Sequence, residues 1–176
     1  GRSMREKLLA AMTPEWNDCY SAGMFTEFME QRGPGHTCGG EQNFKVGYLE
    51  YKEKIKKTMD ALDFMNDPEA TDKMEELKAM DIACDAVIIL GERYHKLALE
   101  MAEKEADPVR KEELKQIAAN LEVVPAHAPQ TYWQAIQLYW FTHLAVTTEL
   151  NPWDAFSPGR LDQHLISYYE ADTEAG

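Results

Sequence analysis

The chain has 176 residues, the length of one ordinary domain, and a domain of that size buries roughly two thirds of the surface its unfolded form exposes. Its 18 Lys and Arg stand against 31 Asp and Glu, a formal net charge of -13, which leaves no basic field for nucleic-acid phosphates or an anionic membrane. A hydrophobic fraction of 44% beside 28% charged residues excludes intrinsic disorder, so a folded chain is expected.

Helical periodicity dominates from the start, because most apolar residues recur at three- or four-residue spacing and two-residue alternation is nearly absent. The fold class read from this pattern is all-α. A first helix is predicted from Met4 to Met12. Thr13-Pro14-Glu15 then supplies a cap, a proline at the first helical position and an acidic first turn, opening a second helix to about Gln31. Arg32 to Gly40 holds four glycines and a proline in nine residues, which no helix interior tolerates, and is the main loop.

A third helix is predicted over Lys45 to Phe64, with Val46, Leu49, Ile55, Met59 and Leu62 as its buried stripe. Asn66-Asp67-Pro68-Glu69 restarts the pattern into a long helix from about Glu69 to Ala106, with a kink expected near Gly91. Its apolar contacts are read as Met74, Leu77, Met80, Ile82, Val87, Leu90, Tyr94, Leu97 and Met101. Asp107-Pro108 repeats the cap-plus-proline signal for a fifth helix to about Leu121, ended by Val123-Val124-Pro125. After a stiff connector, Thr131 caps an aromatic helix from Tyr132 to about Thr148, and a final helix carries Leu161, Leu165, Tyr168 and Tyr169.

The aromatic helix surrounds itself with Tyr132, Trp133, Ile136, Leu138, Tyr139, Trp140, Phe141 and Leu144, so it should be buried on most sides, against something larger than this chain provides. Gln134, Gln137, His143 and Glu149 make it too polar for a bilayer span. Gly1 to Met4 reads as an expression scar, with residues 5–176 forming a partial domain, and Leu8 to Met12 is too short for a signal-peptide core.

Chemistry-bearing motifs are sparse. The spacing of Gly33, Gly35 and Gly39 puts the third glycine one position late for a dinucleotide fingerprint, and the preceding segment is helical rather than a strand. The loop still lets backbone amides approach an anion, with Arg32 beside it as a bidentate carboxylate ligand. Glu92 and His95 share a helix face at di-iron spacing, but a second Glu-x-x-His is missing, and the remaining histidines show no zinc spacing, so no metal site is expected. Cys19, Cys38 and Cys84 form no Cys-x-x-Cys pair, which fits a reducing compartment. Cys19 and Cys84 are read as small core residues, and Cys38, near His36, as the one with exposure.

Three ordered motifs nevertheless resemble a known family. They are Glu30-Gln31-Arg32-Gly33-Pro34-Gly35-His36-Thr37, then Pro125-Ala126 with Thr131-Tyr132-Trp133-Gln134-Ala135, then Ser157-Pro158-Gly159-Arg160-Leu161-Asp162-Gln163 with Tyr168-Tyr169 and Asp172. Together they resemble the glycyl radical enzymes, the family of pyruvate formate-lyase and its dehydratase, decarboxylase and C–N or C–S lyase relatives. The resemblance implies an anaerobic cytoplasmic lyase or transferase, homodimeric at full length and built on a ten-stranded α/β barrel. This chain would be a helical N-terminal fragment of it. The resemblance also implies a backbone glycyl radical, installed by a radical S-adenosylmethionine activase as partner, and a small-molecule substrate.

The family's Arg-Val-x-Gly loop is missing from this sequence, and no cysteine stands in a Cys-Val-Glu or Cys-Cys context, so no catalytic residue is assigned and the chain alone is expected to be inert. As implied by the resemblance, Arg32 would hold a substrate carboxylate, with His36, Cys38, Glu41 and Gln42 as neighbours. Arg160 and Asp162 would organise their turn. The residues alone also leave open a free-standing acidic helical module that engages a protein partner through the aromatic helix over 132–150.

Overall fold

In a computed structural model of the chain, which describes residues 4–25, 39–149 and 157–176, every regular element is helical. In order these are α1 (Met4–Ala11), α2 (Pro14–Ser21), a 3-10 turn (Gly40–Phe44), α3 (Tyr48–Asp60), α4 (Ala70–Lys104), α5 (Pro108–Leu121), α6 (Tyr132–Glu149) and α7 (Leu161–Ala175). The proline-led starts form as local chemistry dictates. Thr13 Oγ1 accepts the Trp16 amide at 3.2 Å ahead of α2, and the Asp107 carboxylate accepts the Val109 amide at 2.9 Å ahead of α5.

The second helix ends well short of Gln31. Gly23 adopts φ 72°, and the amides of Gly23 and Met24 return to the carbonyls of Tyr20 and Cys19 at 3.0 Å each, a left-handed glycine cap that stops α2 at Ser21. Residues 26–31 of the expected helix lie outside the described residues. Cys19 is only half-buried, whereas Cys84 is in the core.

The third helix starts later and ends earlier than Lys45 to Phe64. Its first amides, those of Tyr48 and Leu49, donate to the carbonyls of Pro125 and Ala126 at 3.0 and 2.9 Å, so a distant segment does the work of a local cap. Gly47 makes this approach possible, since a Cβ there would run 2.5 Å from the Ala126 carbonyl oxygen. At the far end the Asp63 carboxylate accepts the amides of Met65 and Asn66 at 3.0 and 3.1 Å and turns the chain. Ile55 alone of the expected stripe is fully buried, and Leu49 is exposed.

Helix α4 continues through Gly91 without a break. The glycine is a contact site, because the Pro125 ring occupies the space a Cβ would need. The buried face of α4 consists of Ala70, Cys84, Val87, Gly91, Ala98 and Ala102, small groups that let α3 and α5 pack closely. Met80, Ile82, Tyr94, Leu97 and Met101, expected as core contacts, are exposed. Gly91→Ala is expected to destabilise the protein by about 1–3 kcal/mol through overpacking, outweighing the gain of about 1 kcal/mol in helix propensity. The sign of the shift in urea midpoint checks this.

Helix α6 opens on a side-chain cap, with Thr131 Oγ1 accepting the Gln134 amide at 3.2 Å, while Gln134 Oε1 reaches back to accept the amide of Gln130, the residue before the cap, at 2.8 Å. Its inner face buries Ala135, Leu138 and Phe141, and the fully enclosed Asn120 donates from Nδ2 to Gln137 Oε1 at 3.2 Å, tying α5 to α6. Within this chain the outer face is left uncovered: Trp133, Ile136 and Trp140 are 43%, 41% and 52% exposed. With Tyr94, Leu121 and Leu144 they line an open apolar groove of about 300 Å³. No described helix is long and apolar enough to cross a membrane.

Candidate functional site

The glycine-rich loop is the strongest functional signal in the sequence, and its C-terminal flank is where the structure gives geometry. Arg32, His36 and Cys38 lie outside the described residues, while Glu41 and Gln42 sit on the 3-10 turn. Gly39 and Gly40 enter the turn at φ 68° and 50°, backbone that favours glycine. A side chain at Gly39 would also collide with Asn43, itself buried beneath the turn. The Gln42 amide donates to the Gly39 carbonyl at 3.1 Å, and the Gln42 carbonyl accepts from Lys45 and Val46 at 3.1 and 3.0 Å.

This backbone projects the side chains of Glu41 and Gln42 outward, both exposed. Glu41 pairs with Lys45 one helical turn on. The Lys45 ammonium holds the Glu41 carboxyl below the usual carboxylate range, first by hydrogen bonding and then by charge. Glu41 is therefore an anion at neutral pH, and Gln42 offers an amide donor and acceptor beside it.

What anchors the turn is Phe44, which has no exposed surface. Its ring stacks on Tyr139 of α6 at 5.3 Å and on His164 of α7 at 5.2 Å, and the Tyr168 hydroxyl donates to its carbonyl at 2.5 Å. Burial pushes the Tyr168 phenol above its ordinary pKa, with Lys45 pulling weakly the other way, so the hydroxyl remains a donor. Asp172, one turn further along α7, accepts the Tyr132 amide at 3.0 Å and so ties α7 to the start of α6. On the next turn of α6, Tyr139 and His143 meet through Oη and Nδ1 at 3.2 Å, and Trp140 stacks on His143.

Arg160 and Asp162 stand at the start of α7, exposed. The Arg160 carbonyl accepts the His164 amide at 3.0 Å and its Nη1 donates to Gln163 Oε1 at 3.4 Å. Gly159 adopts φ 73° and its amide donates to Ser157 Oγ at 3.0 Å, which shapes the turn that delivers α7. Neither Arg160 nor Asp162 reaches Glu41 or Gln42 by any contact seen among the described residues.

The other motifs resolve into packing. His95 Nδ1 lies 2.9 Å from the Ala118 carbonyl, bridging α4 to α5, and Glu92 points to solvent. Desolvation pushes the Cys84 thiol up, away from the thiolate that nucleophilic chemistry needs. Among the described residues no three His, Cys, Asp or Glu side chains gather as a metal site would require. Sequence reasoning missed Asn43, Phe44, Tyr139 and His164 as supports of the candidate site. Tyr168 and Asp172 were visible only as parts of the resemblance.

Comparison with known proteins gives this geometry its setting. A family model described as pyruvate formate lyase-like matches residues 1–176. Trans-4-hydroxy-L-proline dehydratase of Clostridioides difficile is 57% identical over 175 residues, which is 99% of this chain and 22% of that protein. Isethionate sulfite-lyase of Desulfovibrio desulfuricans is 39% identical over 136 residues, 77% of this chain and 16% of that one. The crystal structure of the Clostridioides difficile hydroxyproline dehydratase, solved with trans-4-hydroxy-L-proline bound, superposes with a TM-score of 0.80 over 98% of this chain and 22% of its own. The chain thus spans 22% of the length of the dehydratase that it matches. The family match over every residue, the shared helical architecture and the level of identity place the chain in the pyruvate formate lyase-like family of glycyl radical enzymes.

Proposed function

We propose that this chain is a portion of a larger glycyl radical dehydratase, the parent enzyme, whose substrate is trans-4-hydroxy-L-proline or a closely similar hydroxylated amino acid. The observation that carries the reading is the 57% identity to a trans-4-hydroxy-L-proline dehydratase across 99% of the chain, against 39% across 77% for a sulfite-lyase. The substrate's chemistry agrees with the residues. A hydroxyproline carries a carboxylate, and Arg32 is the guanidinium that would take it as a two-pronged hydrogen-bonded pair. His36, Cys38, Glu41 and Gln42 would form the adjoining wall, with Glu41 as a fixed anion and Gln42 as an orienting amide.

In the parent enzyme a glycyl radical, installed by a radical S-adenosylmethionine activase, would supply the hydrogen-abstracting chemistry from elsewhere in the polypeptide. The share of this chain is to bind, orient and exclude water. Its exposed stripe of Trp133, Ile136 and Trp140 would be covered by the rest of the parent, including its barrel. Residues 5–176 would then be one part of a larger domain, and the chain alone would turn nothing over.

The experiment is to assay the activated parent enzyme, without oxygen, for consumption of trans-4-hydroxy-L-proline and formation of a product lighter by one water. Turnover of that substrate, with none by the isolated chain, is the expected outcome. A parent enzyme that ignores hydroxyproline but cleaves isethionate would sink the substrate assignment.

A further inference from the structure

The turn that carries Glu41 and Gln42 is five residues long and has few ties of its own, since a 3-10 turn makes short and poorly aligned hydrogen bonds. Its position is decided at its last residue. Phe44 is gripped twice by α7, by the His164 ring stacked 5.2 Å away and by the Tyr168 hydroxyl on its carbonyl at 2.5 Å. His164 and Tyr168 are one helical turn apart and flank the buried Leu165, so they act from a single face. That face is itself located by the Asp172 bond to the Tyr132 amide and by the edge-on contact of Tyr132 with Tyr169 at 6.3 Å. Phe44 is also stacked on Tyr139 of α6, so a shift of α7 against α6 would displace Phe44 from one of its two supports and loosen the backbone from which Gln42 and Glu41 project.

We infer that Tyr168 is a positioning residue for substrate binding, acting through the Phe44 carbonyl to fix the turn that presents Glu41 and Gln42. The inference rests on the reading that this turn borders the substrate. Tyr168 itself does not touch substrate. Removing its hydroxyl leaves the fold in place but lets the turn sample other positions, so the cost falls on binding before it falls on chemistry.

The test uses the activated parent enzyme with trans-4-hydroxy-L-proline, comparing Tyr168→Phe, Gln42→Ala, Glu41→Gln, the Glu41→Gln/Gln42→Ala pair and that pair with Tyr168→Phe added. Tyr168→Phe is expected to raise KM about three- to ten-fold, the worth of one partly buried hydrogen bond, with kcat within about twofold and radical content by electron paramagnetic resonance unchanged. In a Glu41→Gln/Gln42→Ala background the same change should move KM by less than about twofold, because both side chains whose placement it fixes have lost their roles. Unchanged KM with a lowered melting temperature makes Tyr168 a structural residue only and overturns the inference. A full effect that persists in the Glu41→Gln/Gln42→Ala background overturns it too.

If Gln42→Ala and Glu41→Gln leave KM unaltered, the reading of the turn as a substrate wall fails. If they raise KM while Tyr168→Phe does not, only the positioning role fails. Should Tyr168→Phe not accumulate as folded enzyme, His164→Ala serves in its place, expected to raise KM where His164→Phe, which keeps the stacked ring, does not.

Discussion

Replacing Arg32 by alanine in the parent enzyme is expected to raise KM for trans-4-hydroxy-L-proline by about thirtyfold or more, while the glycyl radical is installed to the same level as in the wild type. The magnitude follows from the chemistry. A guanidinium that pairs with a carboxylate in a water-poor pocket contributes two charge-assisted hydrogen bonds, and its loss leaves the substrate anion unpaired at a cost of about 2–5 kcal/mol. Arg32→Lys should recover part of the loss, since it restores the charge without the planar fork. Steady-state kinetics and the radical signal together decide the matter: unchanged KM removes Arg32 from the site, and a lost radical would mean that the variant disturbs activation instead.

The second large effect is structural and falls on Phe44. A ring with no exposed surface, held between Tyr139 and His164, leaves a void when it is cut back to alanine, and the cost is about 3–5 kcal/mol. Because α6, α7 and the 3-10 turn all meet at this ring, the loss should appear first as local opening. Amide hydrogen exchange over residues 40–46 in Phe44→Ala is expected to quicken by about a hundredfold or more, while amides of α4 and α5 keep their protection. Equal acceleration throughout the helices would show that Phe44 supports the whole fold.

Much of the helical plan can be read from local chemistry. The proline-led starts at Pro14 and Pro108 and the Thr131 cap announce α2, α5 and α6 because each cap is built from neighbouring residues. Where the structure departs from the local signals, the deciding contact is remote. The start of α3 is fixed by carbonyls of residues 125 and 126, and Gly91 owes its presence to the Pro125 ring rather than to a bend. The exposed Leu97 and Met101 show the same limit, since periodicity marks an apolar helix without saying which stripe meets a neighbour inside this chain.

The candidate site divides in the same way. Arg32, Glu41 and Gln42 could be singled out from a glycine-rich loop and an ordered set of motifs. Phe44 and His164 could not, because nothing within reach along the chain distinguishes a ring that will be sandwiched from one that simply packs. Their role exists only once α6 and α7 have come together.

That dependence has a consequence for how the protein is made. The bond between Tyr168 and Phe44 joins residues 124 positions apart, whereas α3, α4 and α5 pair with their immediate successors along the chain. Contacts of long sequence separation form late, after local hairpins have collapsed, and a chain emerging from the ribosome can assemble α3 to α5 before α7 has been synthesised. The Glu41 turn therefore lacks its Tyr168 tie until α7 has been made, 124 residues after Phe44, and during synthesis it stays unfinished after the residues that compose it have left the exit tunnel.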